Sequence, residues 1–142
     1  MPYKVLIVDD DIYLLNQQKL FLEAKGYTIA TAVTMEEGLE FFKMFKPDII
    51  IADLMKEHYD SGFVFCKKVK DHPEGRNVPI IMQTGAAREM GFTFDLSVQG
   101  DNEWIKVDEV LTKPVLPEEL EAKIRQYMTQ IQKRAMEHKK KD

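Results

Sequence analysis

The residues Ile49-Ile50-Ile51-Ala52 form an apolar run with no polar alternate, and it ends abruptly on Asp53. A half-exposed strand alternates apolar and polar side chains. An unbroken apolar run followed at once by an acid instead predicts a strand covered on both faces, the habit of parallel sheets packed between helices. A carboxylate delivered by such a strand to its carboxyl end sits where open α/β sheets bind ligands. Asp53 is therefore the position around which the other informative residues are expected to gather.

Strand and helix patterns alternate along the chain. Tyr3 to Val8 is an apolar, β-branched run that stops at Asp9, Asp10 and Asp11. Ile12 to Lys25 reads as a helix with Ile12, Leu15, Leu20 and Phe21 as its apolar residues and Gly26 as its stop. Thr28 to Ala32 is a short second strand. Thr34 and Glu37 then make a capping box for a helix burying Leu39, Phe42 and Phe45, which Pro47 ends. A third helix is expected over Gly62 to Asp71, a fourth strand over Pro79 to Gln83, and a fifth over Glu109 to Thr112. The last helix opens with Pro117, Glu118 and Glu119, which suit its positive end, and carries a stripe of Leu120, Ile124, Tyr127 and Ile131. This alternation, with right-handed crossovers, predicts an α/β fold with a doubly wound five-stranded parallel sheet in the order 2-1-3-4-5. In that order Asp9, Asp10 and Asp53 meet, flanked by Thr84 with Gly85 and by Lys113.

Composition narrows the function. At 142 residues, 44% apolar and 31% charged, the chain is of the size and make-up of one globular domain. No apolar stretch approaches bilayer length, the start carries no signal-peptide pattern, and a cytoplasmic protein with no membrane partner is expected. A net charge of −4 argues against direct nucleic-acid binding. The single cysteine, Cys66, falls in the apolar pattern Phe63, Cys66, Val69 and is expected in the core.

Carboxylates gathered at one rim repel one another, by about 4 kcal/mol per pair at 4 Å in an effective dielectric near 20. The Lys113 ammonium and a divalent ion would relieve that repulsion. An all-oxygen site with few protein ligands suits Mg²⁺. His58, His72 and His138 are scattered and expected at the surface, so zinc is not indicated. A metal, an ammonium and the Thr84 hydroxyl around one carboxylate make a cradle for a phosphoryl group, with Asp53 as the nucleophile and Gly85 leaving room. Taken singly, each of these acids is as readily a cap or a turn residue.

The runs Lys4-Val5-Leu6-Ile7-Val8-Asp9-Asp10-Asp11, Pro47-Asp48-Ile49-Ile50-Ile51-Ala52-Asp53-Leu54, Pro79-Ile80-Ile81-Met82-Gln83-Thr84-Gly85 and Leu111-Thr112-Lys113-Pro114 resemble the receiver domains of two-component response regulators. The resemblance spans nearly the whole chain and implies the flavodoxin-like receiver fold. It implies that Asp53 accepts phosphate from a phosphohistidine of a sensor histidine kinase or phosphotransfer protein. Asp9, Asp10 and the Met55 main-chain carbonyl would hold Mg²⁺ with Asp53, and Thr84 and Lys113 would contact the phosphoryl oxygens. The bond before Pro114 is expected to be cis.

Several positions depart from the family pattern. Lys56 and Glu57 stand where receivers usually carry Met-Pro, and Val110 stands where an aromatic residue usually couples to the threonine. The segment Ala86 to Asp108 is several residues longer than usual, with strand-like alternation of Phe92, Phe94, Leu96 and Val98, so an atypical fourth helix region is expected. Phe92, Phe94 and Trp104 either cover the sheet or contact a partner. Residues 1–132 are expected to form the receiver domain, and 133–142, with Lys133, Arg134, Lys139, Lys140 and Lys141, a basic helix end or tail. The leading expectation is a stand-alone receiver of the chemotaxis type, a switch rather than a turnover enzyme, acting on a protein target or in a phosphorelay. The alternatives are a receiver-like scaffold that no longer switches and an aspartate-nucleophile phosphohydrolase. The usual second aspartate of such a hydrolase is replaced here by Met55.

Overall fold

A computed structural model of the chain describes residues 3–53, 59–85 and 107–140. Five strands, β1 (Lys4–Val8), β2 (Thr28–Ala32), β3 (Ile49–Asp53), β4 (Ile80–Thr84) and β5 (Glu109–Thr112), pair in parallel in the order β2-β1-β3-β4-β5. The helices are α1 (Ile12–Ala24), α2 (Met35–Phe45), α3 (Tyr59–Asp71) and α4 (Pro117–Lys140). This is the doubly wound order that the alternating pattern predicts, and the flavodoxin-like arrangement that the resemblance implies.

Alternation along each strand sorts the core into two layers. Leu6, Val8, Ile50, Ala52, Ile80 and Met82 face α2 and α3, where they meet Met35, Phe42, Phe65, Cys66 and Val69. Val5, Ile7, Ile49, Ile51 and Ile81 face α1 and α4, against Leu15, Leu22, Leu120, Ile124 and Met128. Burial of each large aliphatic side chain contributes about 1.5–3 kcal/mol, so the central strands are the main apolar anchor of the fold. Cys66 is fully buried within the first layer, as expected, and burial pushes its thiol up to about 12. Gly38 lets α2 approach β1, because a Cβ there would lie 2.8 Å from Val8 Cγ2.

Several finer expectations are corrected. In α1 the buried residues are Leu15, Gln18 and Leu22, while Ile12 and Leu20 are 62% and 69% exposed. Leu20 lies five residues after Leu15, well off a stripe of 3.6-residue period, and the true seam contains a glutamine. In α2, Met35 and Gly38 are buried with Phe42, whereas Leu39 and Phe45 are only half-buried. Helix α3 starts at Tyr59, three residues before Gly62, and β4 runs one residue later than expected at each end. Met128 replaces Tyr127 and Ile131 as the fully buried residue of that part of α4. His72 is half-buried, set edge-on to Phe42 with ring centroids 5.4 Å apart. Phe92, Phe94, Leu96, Val98, Trp104, His58, Lys56 and Glu57, and with them the expected atypical fourth helix region, lie outside the described residues.

Candidate functional site

Strand register builds the site. Val8 pairs with Ala52, so the next residue of each strand, Asp9 and Asp53, stand side by side. Asp53 itself pairs with Gln83 across the β3–β4 ladder, and Thr84 pairs with Thr112, which brings Lys113 to the same rim. Asp9, Asp10 and Asp53 each offer a carboxylate oxygen, and these atoms lie within 4.8 Å of one another. Lys113 Nζ sits 3.0 Å from Asp9 Oδ2 and 3.2 Å from Asp53 Oδ1, bridging the two buried acids. The bond from Lys113 to Pro114 is cis.

Three carboxylates facing one ammonium leave the charge unbalanced. Asp53 is 7% exposed. Burial first, and then Asp9, raise its carboxyl to about 6 against the pull of Lys113. Burial likewise raises Asp9, against the Asp11 backbone N–H and Lys113. For Lys113, burial works downward, but Asp53 and Asp9 together outweigh it and hold the ammonium above its ordinary pKa. The lysine is firmly cationic while Asp9 and Asp53 resist full ionisation. A second cation would complete the neutralisation, and three hard oxygen donors suit Mg²⁺ rather than a thiolate- or imidazole-loving metal.

Asp11 has a different task from its two neighbours. Its carboxylate caps α1 by accepting from the Leu14 N–H at 3.1 Å, and its own N–H donates to Asp9 Oδ1 at 2.9 Å. The start of α1 is thereby tied to the acidic cluster. Among the residues expected at the site, Asp9, Asp10, Asp53 and Lys113 are brought together. Thr84 ends β4 at the same rim, with its side chain outside the described set, and Met55 lies outside the described residues. Gly85 follows β4, and a Cβ added there would meet no described atom within 4 Å. Gln18 and Gln83, a buried pair next to the site, were not singled out by sequence. The only signal was a polar residue at a position where each element's period calls for an apolar one.

The family model of the response regulator receiver domain matches residues 5–125. The regulatory protein VanR of Enterococcus faecium is 32% identical over 133 residues, covering 94% of this chain and 53% of VanR. The probable transcriptional regulator ycf27 of Guillardia theta is 33% identical over 132 residues, covering 93% of this chain and 48% of its own. The chain thus spans about half the length of the curated relatives it matches. Among solved structures, the chemotaxis response regulator CheY4 of Vibrio cholerae aligns with a TM-score of 0.72 at 26% identity, over 89% of this chain and 99% of that one. A putative response regulator from Chloroflexus aurantiacus gives 0.73 at 29% identity, over 91% and 99%. Matched from β1 into α4 by the family model, the chain belongs to the receiver domains of response regulators, the phosphorylation-switched modules of two-component signalling.

Proposed function

We propose that Asp53 accepts a phosphoryl group from a phosphohistidine on a sensor kinase or phosphotransfer protein in the cytoplasm. The chain then signals by contact with another protein or by handing the phosphate onward. The observation that carries this reading is the Lys113 ammonium held between Asp9 and Asp53 at 3.0 and 3.2 Å, in a rim with more negative than positive charge.

In the proposed transfer a carboxylate oxygen of Asp53 forms a bond to phosphorus as the phosphorus–nitrogen bond of the donor breaks, and the imidazole keeps the electron pair. Asp9, Asp10, Asp53 and the Met55 carbonyl would hold Mg²⁺, which when bound offsets carboxylate charge and polarises a phosphoryl oxygen. Lys113 is already desolvated and aimed at Asp53, so it stabilises charge on the incoming group with little reorganisation. Thr84 is assigned to a phosphoryl oxygen from its place at the end of β4. The relatives named as probable transcriptional regulators are about twice as long as the matched region. Intact mass after exposure to acetyl phosphate and Mg²⁺ tests the reading. Wild type gains one lasting phosphate and Asp53→Asn gains none. Rapid turnover of the donor with no bound phosphate would contradict it and favour a phosphohydrolase.

Val110 favours a second reading, a receiver-like scaffold. It is half-buried, packs against the layer under α2 and α3, and has a single stiff side-chain angle. Amide exchange with and without beryllofluoride separates the two, because a scaffold shows no change outside the site.

A further inference from the structure

Gln18 of α1 and Gln83 of β4 are each 1% exposed and face one another in the layer between the sheet and α1. Each Nε2 donates to the other's Oε1, at 3.1 and 3.0 Å. Two apolar side chains of the same size would fill this space without desolvating two amides, so packing alone does not require the pair. An apolar pair would also tolerate a slide of β4 along α1. The reciprocal amides do not, since a shift of about an ångström breaks both bonds at once and strands donors and acceptors away from water.

Both ends of this link belong to the site. Gln83 is the ladder partner of Asp53 and immediately precedes Thr84. Helix α1 opens at Asp11, whose backbone N–H is bound to Asp9. We infer that Gln18 and Gln83 are positioning residues for phosphoryl transfer: their amide pair fixes the height of β4, and with it Thr84, against Asp9 and Asp53. The inference rests on the reading of Asp53 as phosphoacceptor. It supplies a constraint that the stiff Val110 does not.

The test replaces both glutamines by the near-isosteric methionine and reads two quantities, thermal stability and the rate at which the chain acquires phosphate from acetyl phosphate at saturating Mg²⁺. Gln18→Met or Gln83→Met alone lowers the melting temperature, because one buried amide is left without its partner. The double variant Q18M/Q83M recovers most of that loss, yet acquires phosphate about three- to tenfold more slowly than wild type, the scale of effect that small misplacements produce. A folded double variant that reacts as fast as wild type or faster overturns the positioning role while leaving Asp53 as acceptor. A wild type that takes up no phosphate removes the acceptor reading and the inference with it. A measurement on the unaltered chain covers a variant that does not fold. The Nε2 protons of both glutamines exchange slowly with and without beryllofluoride, and rapid exchange in either state overturns the role.

Discussion

The two rims of the sheet use the same residue types to opposite ends. At the amino-end rim, Asp108 Oδ2 accepts from Lys70 Nζ at 2.9 Å and from the Ile80 N–H at 2.8 Å, and Lys70 also donates to the Val78 carbonyl at 2.6 Å. One acid meets one cation, and the backbone at the start of β4 is closed. At the carboxyl-end rim Asp9 and Asp53 share Lys113 while Asp10 stands close to both acids, and burial and then Asp9 raise Asp53 to about 6. Matched charge makes a fastening. Excess charge at a desolvated rim makes a site that another cation would neutralise.

The largest expected effect breaks the fastening. Asp108→Ala removes two charge-assisted bonds and leaves Lys70 without its acid, lowering unfolding stability by about 3 kcal/mol in chemical denaturation. Mg²⁺ affinity stays unchanged. Loss of Mg²⁺ binding in that variant would show that the rims are not independent.

Next comes a pH dependence belonging to the other rim. Asp53, at about 6 in the metal-free fold against an ordinary 3.8, keeps a proton that the unfolded chain has already released. The stability this proton contributes is present below about pH 4 and is lost as pH rises through about 6, a change of about 2–3 kcal/mol. Denaturation curves across this window therefore fall with pH in metal-free wild type, and the fall is smaller in Asp53→Asn and in excess Mg²⁺. Equal slopes in all three would show that Asp53 keeps no such proton in the folded state.

A more modest contrast comes from Asp9→Asn, which keeps an acceptor for the Asp11 N–H but deletes one negative charge. Mg²⁺ affinity by calorimetry falls about tenfold or more, whereas metal-free stability at neutral pH holds or rises, because a repulsion has gone. A clear loss of metal-free stability would mark Asp9 as a fastening like Asp108. The smallest effect sits near the amino-end rim. Lys46 caps α2 in the left-handed region at φ 51, and its 3.8 Å pair with Glu74 joins side chains 67% and 49% exposed. Such a pair is worth little, and Lys46→Gly raises stability by up to about 1 kcal/mol in thermal melts.

Much of this was legible in the residues. Ile49 to Asp53 could only be a strand covered twice, and Glu109 to Thr112 is found where the pattern put it. The approach of Lys113 to Asp53 follows from strand order, since Asp53 ends β3 and Lys113 follows β5 at the same rim with β4 between them. The apolar residues of α1 do not mark its buried stripe, because Gln18 interrupts the apolar period, and the same glutamine takes its meaning from Gln83, 65 residues away. Asp108 was invisible as a fastening for a like reason: its bond to the Ile80 N–H spans 28 residues and exists only once β4 and β5 have paired. Local patterns report which face a residue covers, whereas polar partners chosen by tertiary closure leave no periodic trace.

The most direct test of the central claim is to locate the phosphoryl group. Borohydride reduces an aspartyl phosphate to homoserine, so peptide mass mapping of the phosphorylated, reduced chain identifies the acceptor. The account predicts homoserine at position 53 and nowhere else. Homoserine at position 9 or 10, or a chain phosphorylated with position 53 unaltered, would contradict it.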